Sequence, residues 1–395
     1  MVSTEAAERE ALSPALIGTF AVACGCAVGN LYFSQPLLGV IGQEFHIKEA
    51  ASAAIVTMTQ LGYASGLLLL APLGDLIENR RLVTTVFSAG ILALLAAASA
   101  PSYAAFLAAS LAIGMTSVVA QILVPFAAHL APPERRGLVV GQIISGILTG
   151  ILTARAVAGF ISASIGWRGA YLVSAAVIVI LVLTLRHALP QRRPEFTESY
   201  GKLLRSLGHL YLTEPVMRRR GFYQAAMFGA FSAFWTSITF LLSAPPYRFS
   251  QRQIGLFALA GAAGALFASV AGKLGDRGYS RAATGSAIAL GGAAFALTLL
   301  QNHLWALLLG AIALDMGANT GHVLSQHMIF ALNPAARSRL NTLYMTMFFL
   351  GGAASSALAG LAYSHGGWPS VVVLGTSLPA VAFLYWLTEP KPAAR

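Results

Sequence analysis

The residues best suited to chemistry form a polar stripe inside an apolar segment of the chain. Asp315, Asn319, His322 and Gln326 are spaced by four, three and four residues, so they share one face of a helix. Carboxyl and imidazole groups can take up and release protons. The stripe predicts a proton-coupling site with Asp315 as the first candidate and His322 as the second. The alternative for His322 is a hydrogen-bonded core histidine.

One basic residue, Arg155, also lies well inside an apolar segment. Counted from the nearer segment ends at 1.5 Å per residue, Arg155 and Asp315 lie at roughly 12 and 17 Å depth. We therefore expect that they could pair, with Arg155 as a third member of the proton-coupling site. A permanent structural ion pair, or an arginine bound by backbone carbonyls, is the alternative.

The composition indicates that these apolar segments lie in a lipid bilayer. Hydrophobic residues make up 57% of the 395 residues and charged residues only 10%, against about 25% charged residues in soluble domains. Continuous apolar runs of roughly 20 residues are typical of membrane-spanning helices. We predict an all-α membrane protein with twelve spans, numbered in chain order: 14–41, 52–74, 82–100, 104–130, 137–163, 167–187, 221–244, 253–273, 282–301, 304–331, 339–364 and 368–387.

The basic residues predict the orientation of these spans. With the N-terminus inside, 20 of the 25 Lys and Arg residues fall on the inner side and four on the outer side. Both termini are therefore expected in the cytoplasm, in a multi-pass protein of the inner membrane. The net charge of +11 is interpreted as topology and as contact with anionic lipids of the inner leaflet, not as nucleic-acid binding.

Other classes of site are not indicated by the sequence. It contains no nucleotide-binding motif, no cluster with metal-ligand spacing and no catalytic triad, so we expect no enzyme activity, cofactor or metal. The only cysteines, Cys24 and Cys26, fall inside the first span and are interpreted as packing residues. The acidic N-terminus is not typical of a cleaved signal peptide.

Several landmarks recur at one offset. Gly74-Asp75 returns as Gly275-Asp276, and Gly166-Trp167 returns as Gly367-Trp368, each 201 residues later. The same offset relates Pro133 to Pro334, Arg136 to Arg337, Gly150 to Gly351 and Gly159 to Gly360. The chain is therefore interpreted as a duplicated six-helix unit. The predicted domains are an N-terminal bundle (1–187), a cytoplasmic linker with an amphipathic helix (188–220) and a C-terminal bundle (221–395).

The loop after span 2 points to a family. Residues 72–81 read Pro-Leu-Gly-Asp-Leu-Ile-Glu-Asn-Arg-Arg, and residues 272–277 read Gly-Lys-Leu-Gly-Asp-Arg. Both are similar to the loop motif G-x-L-[AS]-D-R-x-G-R-[RK] of the major facilitator superfamily. The chain resembles this superfamily over essentially its whole length, and within it the bacterial drug:proton antiporter branch, whose span 5 is also rich in glycine.

The resemblance implies the major facilitator fold, with two pseudo-symmetric six-helix bundles and a central cavity lined by spans 1, 4, 7 and 10. It also implies a gating role for the two loops. Asp75 would pair with Arg80 or Arg81 or face a helix N-terminus, and Asp276 and Arg277 form the second copy. The alternative is a loop whose charges only keep it in water.

Amide and aromatic side chains on the four cavity spans are candidate substrate ligands, although ordinary packing is the alternative for each aromatic residue. The expected set is Asn30, Gln121, Gln224, Phe228, Phe231, Trp235, Asn319 and Gln326.

Together these features predict a monomeric, proton-coupled exporter of small lipophilic or drug-like compounds that works by alternating access. Transport of a sugar or other polar metabolite, in either direction, is the first alternative. A membrane scaffold or sensor without transport is the second.

Overall fold

The described part of the chain is built from helices. The computed structural model describes residues 13–191, 199–261, 277–333 and 336–390. The helices are α1 (Pro14–Gly29), α2 (Leu38–Glu44), α3 (Glu49–Leu69), α4 (Asn79–Ala98), α5 (Tyr103–Thr116), α6 (Val119–Leu130), α7 (Arg136–Ala188), α8 (Tyr200–Thr213), α9 (Pro215–Ser243), α10 (Gln251–Ala258), α11 (Ser280–Leu297), α12 (Leu304–Phe330) and α13 (Arg337–Leu387). Short 3-10 helices occupy Gln35–Leu37 and Ala71–Asp75.

These helices supply the twelve predicted spans. Seven continuous helical segments of the described residues, one of which joins α5 and α6, are long and apolar enough to cross a membrane. Two of them, α7 with 53 residues and α13 with 51, each contain a break and provide two spans. Span 1 consists of α1 and the start of α2, and span 4 consists of α5 and α6. Span 8 begins with α10, and part of it lies outside the described residues.

The two breaks are equivalent positions of the internal repeat. Gly166 in α7 has φ 79° and Gly367 in α13 has φ 62°, values in the left-handed region that favours glycine. The tryptophan after each glycine then points back to the bundle. Trp167 Nε1 donates to Glu44, and Trp368 Nε1 donates to the carbonyl of Thr298 at 2.8 Å. The repeated Gly-Trp pair therefore makes a tight turn in each half.

Repeated glycines let helices within each half pack with their backbones in contact. Gly150 on α7 lies against Gly25 on α1, and Gly351 on α13 lies against Ala225 on α9. A Cβ at either glycine would overlap backbone atoms of the facing helix. Such close approach of small residues is the usual source of helix association in membranes.

A second pair of repeated glycines brings the two halves together. Gly159 on α7 contacts the carbonyl of Gln251 on α10, and Gly360 on α13 contacts Ala50 and Ala53 on α3. Gln251 and Ala50 are themselves 201 residues apart. The interface between the halves therefore repeats the duplication of the sequence.

The contacts between the halves differ along the bundle. We call the end that carries Glu44, Arg168 and Gln251 the Glu44 end, and the opposite end the Asp75 end. At the Glu44 end, the halves meet through the glycine contacts and through Thr239 Oγ1, which donates to the carbonyl of Gln35 at 2.9 Å. Toward the Asp75 end, a cross-half hydrogen bond joins the side chains of Asn341 and Gln121. The cross-half backbone contacts of the repeated glycines therefore lie at the Glu44 end.

The segment that links the halves contains α8. Its Leu203 and Leu207 are buried, and Leu207 packs in a cluster with Met217, Leu340 and Tyr344. The predicted boundary between linker and C-terminal bundle, at residue 220, falls inside α9, because α9 already begins at Pro215.

The arginine run 218–220 is the reason for this predicted boundary, since charged residues suggest an exposed linker. Arg220 is in fact only 1% exposed. Its guanidinium donates to Glu389 at 2.6 Å and to Thr284 at 2.7 Å. These partners satisfy the charge inside the C-terminal half.

Candidate functional site at the interface between the halves

The candidate site is centred on α9, the most enclosed of the seven described segments that are long and apolar enough to span a membrane. In its most apolar 18-residue stretch, 94% of the residues are buried. It packs against α12 and α13 within its own half and against α2, α3 and the 3-10 helix Gln35–Leu37 of the other half. Side chains on α9 can therefore touch both halves at once.

Trp235 on α9 connects the two charged residues that the sequence singled out. Its indole Nε1 donates a hydrogen bond to Asp315 Oδ1 on α12 at 3.0 Å. The Arg155 guanidinium carbon lies over the same indole, 4.5 Å from the ring centroid. Trp235, Asp315 and Arg155 are 2%, 3% and 1% exposed. A carboxylate of one half and a guanidinium of the other thus share one aromatic ring.

The structure shows no direct ion pair between Arg155 and Asp315, because no N–O contact within 4.0 Å joins these two described residues. Arg155 lies over the face of the indole, whereas Asp315 lies at its N–H edge. The second oxygen of Asp315, Oδ2, faces Gly261, where an added Cβ would overlap it. Asp315 therefore points into the protein and not to the lipid.

Three aromatic rings and one amide surround Arg155. Its guanidinium carbon lies 4.8 Å from the centroid of Tyr32 and 5.5 Å from that of Phe231, in addition to Trp235. Its Nε donates to Gln35 Oε1 at 2.6 Å. Cation–π contacts of this kind are stronger where water is excluded. Its Nη2 has no hydrogen-bond partner among the described residues.

A small cavity adjoins Arg155 at the interface. It measures about 10 Å³, which is room for roughly one water molecule. Four of its lining residues carry polar groups and five are apolar: Gln35, Arg155, Trp235 and Thr239, and Pro36, Ile238, Ile254, Phe257 and Ala258. The cavity touches Trp235 but is not lined by Asp315.

The polar residues of the stripe on α12 have different hydrogen-bond partners. Asn319 Nδ2 donates to the backbone carbonyl of Asp315 at 2.9 Å, and so it does not reach the carboxylate. His322 Nδ1 is 2.9 Å from the hydroxyl of Tyr344 on α13 and stacks on that ring. His322 therefore has a hydrogen-bonded core environment separate from Asp315.

A series of hydrogen-bonded polar side chains connects the two halves on the side of His322 that faces away from Asp315. Gln326 Nε2 donates to Asn341 at 3.2 Å, Asn341 Nδ2 donates to Gln121 at 3.4 Å, and Gln121 Nε2 donates to the hydroxyl of Tyr63 at 3.1 Å. These residues lie on α12, α13, α6 and α3. Two predicted ligands, Gln121 and Gln326, are thus brought together through Asn341.

The predicted aromatic residues of α9 form part of a larger group, which we call the aromatic cluster: Phe228, Phe231, Trp235, Phe348 and Phe349. Phe228 stacks on Phe348 with centroids 3.7 Å apart and on Phe231 at 5.3 Å. Phe349 in turn contacts Tyr63 of the other half at 4.3 Å. The cluster is an apolar wall at the interface, adjacent to the Arg155 site.

Two other predicted substrate ligands form hydrogen bonds within their own half. Asn30 Oδ1 accepts from Ser174 at 2.7 Å, and both belong to the N-terminal half. Gln224 Nε2 donates to the carbonyl of Ala318 at 2.8 Å in the C-terminal half. The structure therefore does not bring Asn30 and Gln224 to the Arg155 site.

In the loop at the Asp75 end, one residue that departs from the family motif caps the following helix. Glu78 stands where glycine is usual, and its carboxylate caps α4 by accepting from the backbone N–H groups of Arg80 at 2.8 Å and Arg81 at 2.9 Å. Asp75 ends the preceding 3-10 helix. Arg277 is exposed, and Asp276 lies outside the described residues.

Glu44 holds the loop at the opposite end. It accepts a hydrogen bond from Trp167 and a 2.7 Å ion-paired contact from Arg168. Burial acts to raise the pKa of Glu44, but the hydrogen bonds from Arg168 and Trp167 and the charge of Arg168 outweigh it and hold this pKa below its ordinary value.

Sequence reasoning missed Gln35, Tyr32, Asn341 and Tyr344. Gln35 and Tyr32 are three residues apart in an uncharged segment, a spacing that places them on one helical face with Pro36 beside them. Asn341 interrupts the apolar run of α13. An amide within an apolar span was the signal for both Gln35 and Asn341.

Comparisons with known proteins agree with this architecture. The profile of the Major Facilitator Superfamily matches residues 17–300 and 226–395. The chain is 42% identical over 384 residues to "Uncharacterized transporter YgaY" of Escherichia coli O157:H7, covering 95% of each chain. It is 32% identical over 395 residues to "Probable transporter SCO4007" of Streptomyces coelicolor, covering 96% of this chain and 92% of that one.

Solved structures show the same fold at low identity. The nucleoside transporter NupG, solved as a point mutant, superposes with a TM-score of 0.77 at 16% identity, covering 94% of this chain and 99% of that one. A bacterial homologue of the human lysosomal transporter Spinster, inward-facing and unoccupied, gives a TM-score of 0.70 at 13% identity and 95% coverage of both. The chain is therefore a multi-pass membrane transporter that belongs to the Major Facilitator Superfamily.

Proposed function

We propose that this transporter couples the movement of small lipophilic or drug-like compounds to protons, with Asp315 as the proton-binding carboxylate. The observation that carries the proposal is the contact of Asp315 with Trp235, which lies beside the cavity at the interface. A carboxyl group deep inside a membrane bundle is costly to retain, so it is a functional candidate by default. A proton on Asp315 would lie next to Trp235, whose ring contacts Arg155 of the other half.

The aromatic cluster supports a lipophilic substrate. Phe228, Phe231 and Phe348 stack on one another within the C-terminal half, and Phe231 also contacts Tyr32 of the N-terminal half. Such rings offer a large apolar contact to a compound that enters when the halves part. Phe231 and Tyr32, which now contact each other across the interface, would then contact the compound.

Orientation and direction are part of the proposal. The excess of basic residues supports a cytoplasmic location of the Asp75 end. The contacts of Gly159 and Gly360 between the halves at the Glu44 end then support a state closed toward the outside. Export is supported by the resemblance to drug:proton antiporters, whose span 5 is also rich in glycine. In this chain span 5 is the first part of α7, where Gly150 packs against α1 and Gly159 against α10.

Alternating access would proceed by rocking of one half on the other. Opening of the Glu44 end would require the Gly159 and Gly360 contacts to separate. The gating loops carry Asp75, Arg80, Arg81, Asp276 and Arg277, and we propose that they hold the Asp75 end closed in the opposite state.

Transport of a polar metabolite is a second candidate. It is favoured by the chain of Gln326, Asn341 and Gln121, whose amides would bind hydroxyl groups when the halves separate. A panel of neutral sugars beside a panel of lipophilic solutes, each tested for movement into vesicles, separates the two candidates.

The decisive experiment uses purified protein in liposomes that contain the pH-sensitive dye pyranine. Addition of a transported solute should move protons with the wild type. Asp315→Asn should abolish this solute-driven proton movement while the melting temperature stays within a few degrees. Asp315→Glu, which keeps an acid, should recover part of it. Undiminished proton movement in Asp315→Asn would remove Asp315 as the coupling group.

A further inference from the structure

The cavity beside Arg155 contains two buried hydrogen-bond donors that have no partner in the described residues. One is Arg155 Nη2, and the other is Nε2 of Gln35. Both side chains are 1% exposed, and both line the cavity. A buried donor without an acceptor costs roughly 1–3 kcal/mol, so a pair of them at one cavity indicates a missing acceptor.

The two donors are held toward each other by the contacts they already make. Arg155 Nε donates to Gln35 Oε1 at 2.6 Å, which fixes the amide so that its NH2 group is the free end. Thr239 fixes the backbone of Gln35 by donating to its carbonyl at 2.9 Å. The site therefore presents a guanidinium N–H and an amide N–H from neighbouring, positioned side chains.

The charge around the cavity favours a single negative charge. Arg155 is the one charged residue among those that line it. The acid that the structure connects to Arg155 is Asp315, at the N–H edge of the same indole. A bound monoanion would be matched by one guanidinium, whereas a dianion would add a second buried negative charge that no lining group compensates.

The rest of the lining is apolar. Ile238, Ile254 and Phe257 face the same cavity, and the aromatic cluster begins at Trp235. A ligand with a charged head at Arg155 and Gln35 would therefore place a hydrocarbon or aromatic body against these side chains.

We propose that Arg155 and Gln35 form a carboxylate-binding subsite, and that the transported compounds include lipophilic monocarboxylates. This inference rests on the proposed transport function and narrows its substrate class. One carboxylate oxygen accepts from Arg155 Nη2 and the other from Gln35 Nε2. The present cavity holds about one water, so the carboxylate enters when the halves separate at α7 and α10.

The test is equilibrium binding to the purified full-length protein, without any gradient. The probes are benzoate, the neutral isostere benzamide and the dianion phenylphosphonate at pH 8. Benzoate should raise the melting temperature and bind in calorimetry, and the other two should bind at least tenfold more weakly. Equal binding of benzoate and benzamide would overturn the proposal, because only apolar contact would then be involved.

Two substitutions assign the binding to this subsite. Gln35→Leu should weaken benzoate binding about tenfold or more, whereas Gln60→Leu, a matched change of a buried amide that bonds Ser232 away from the cavity, should leave the affinity unchanged. If Gln35→Leu does not fold, Arg155→Lys keeps the charge, removes Nη2 and should show the same loss. Wild-type affinity in the folded Gln35→Leu or Arg155→Lys variant contradicts the subsite.

The outcomes of the binding experiment distinguish a failure of the subsite from a failure of the transport proposal. Absence of benzoate binding together with proton movement driven by another solute would overturn the subsite alone. Benzoate binding together with unaltered proton movement in Asp315→Asn would support the subsite and overturn the coupling role of Asp315.

Discussion

The side chains of Trp235 and Asp315 are joined by a hydrogen bond of 3.0 Å, and the same indole lies 4.5 Å from the guanidinium of Arg155. The tryptophan belongs to the C-terminal half and the arginine to the N-terminal half. Separation of the halves must therefore break the contact of Arg155 with the ring, while the contact with Asp315 can persist. A change at Asp315 and a movement of the halves are coupled through one side chain.

Trp235→Phe tests this relationship. The substitution keeps an aromatic ring under Arg155 but removes the donor to Asp315. Hydrogen bonds to charged groups contribute roughly 1.5–3 kcal/mol, so we expect solute-driven proton movement in liposomes to fall about tenfold or more.

The matched control for this change is Trp368→Phe. Trp368 is also buried and donates to a backbone carbonyl, that of Thr298, far along the chain from the site. We expect Trp368→Phe to lower the melting temperature without a selective loss of proton movement. Wild-type proton movement in Trp235→Phe would mean that the hydrogen bond has no part in coupling.

The position of the site was largely predictable, and its geometry was not. The polar spacing on α12 and the isolated Arg155 identified the two charged residues, and the depth estimate put them in one layer of the membrane. Depth follows from counting residues along a helix. It does not give the rotation of each helix about its axis, and so the sequence could not show that Arg155 and Asp315 each contact Trp235.

The same limit explains Asn30 and Gln35. Both lie in the first span and both are amides, but Asn30 turns toward Ser174 within its own half and Gln35 turns toward Arg155. The chain between them leaves α1 after Gly29 and enters a 3-10 helix, so a continuous helical face does not relate them. The repeat, in contrast, could be recognised in the sequence because Gly150 and Gly159 pack against backbone atoms of facing helices and Gly166 has a positive φ. Both constraints favour glycine.

Arg220→Gln should destabilise the C-terminal half. Arg220 is buried and forms an ion pair with Glu389 at 2.6 Å. Removal of one partner of a buried pair leaves the other charge uncompensated and costs about 3–5 kcal/mol. We expect a clear fall in the melting temperature of the purified protein.

The double substitution Arg220→Gln with Glu389→Gln should recover part of that loss, since it removes the orphaned carboxylate. Arg219→Gln is the control, because Arg219 is less buried and should cost less than about 1 kcal/mol. An equal fall in Arg219→Gln and Arg220→Gln would show that the buried pair is not the cause.

Glu44→Gln should make the stability less sensitive to acid. The pKa of Glu44 is held below its ordinary value in the folded protein, so Glu44 stabilises the fold above its unfolded pKa of about 4.3. This contribution is lost as the pH falls through the lower, folded pKa. The melting temperature of the wild type should exceed that of Glu44→Gln at pH 7, and the difference should shrink toward pH 3.

The half-exposed position of Glu44 keeps this effect small, since solvent screens the ion pair. Glu134→Gln, at an exposed position of the opposite end, serves as the control for a change of one net charge. A constant difference between wild type and Glu44→Gln across this pH range would contradict the contribution of the carboxylate.

Gly150→Ala should weaken the packing of α7 on α1. The new methyl group would overlap the backbone of Gly25, and backbone atoms cannot rotate away as a flexible side chain can. Overpacking of this kind costs typically 1–3 kcal/mol, so the melting temperature should fall. Gly141→Ala on the same helix is the matched control, because no atom lies within 4 Å of its added Cβ, and its melting temperature should not fall. If both variants melt at the wild-type temperature, the close contact of α1 and α7 does not limit stability, and the repeated glycines need another explanation.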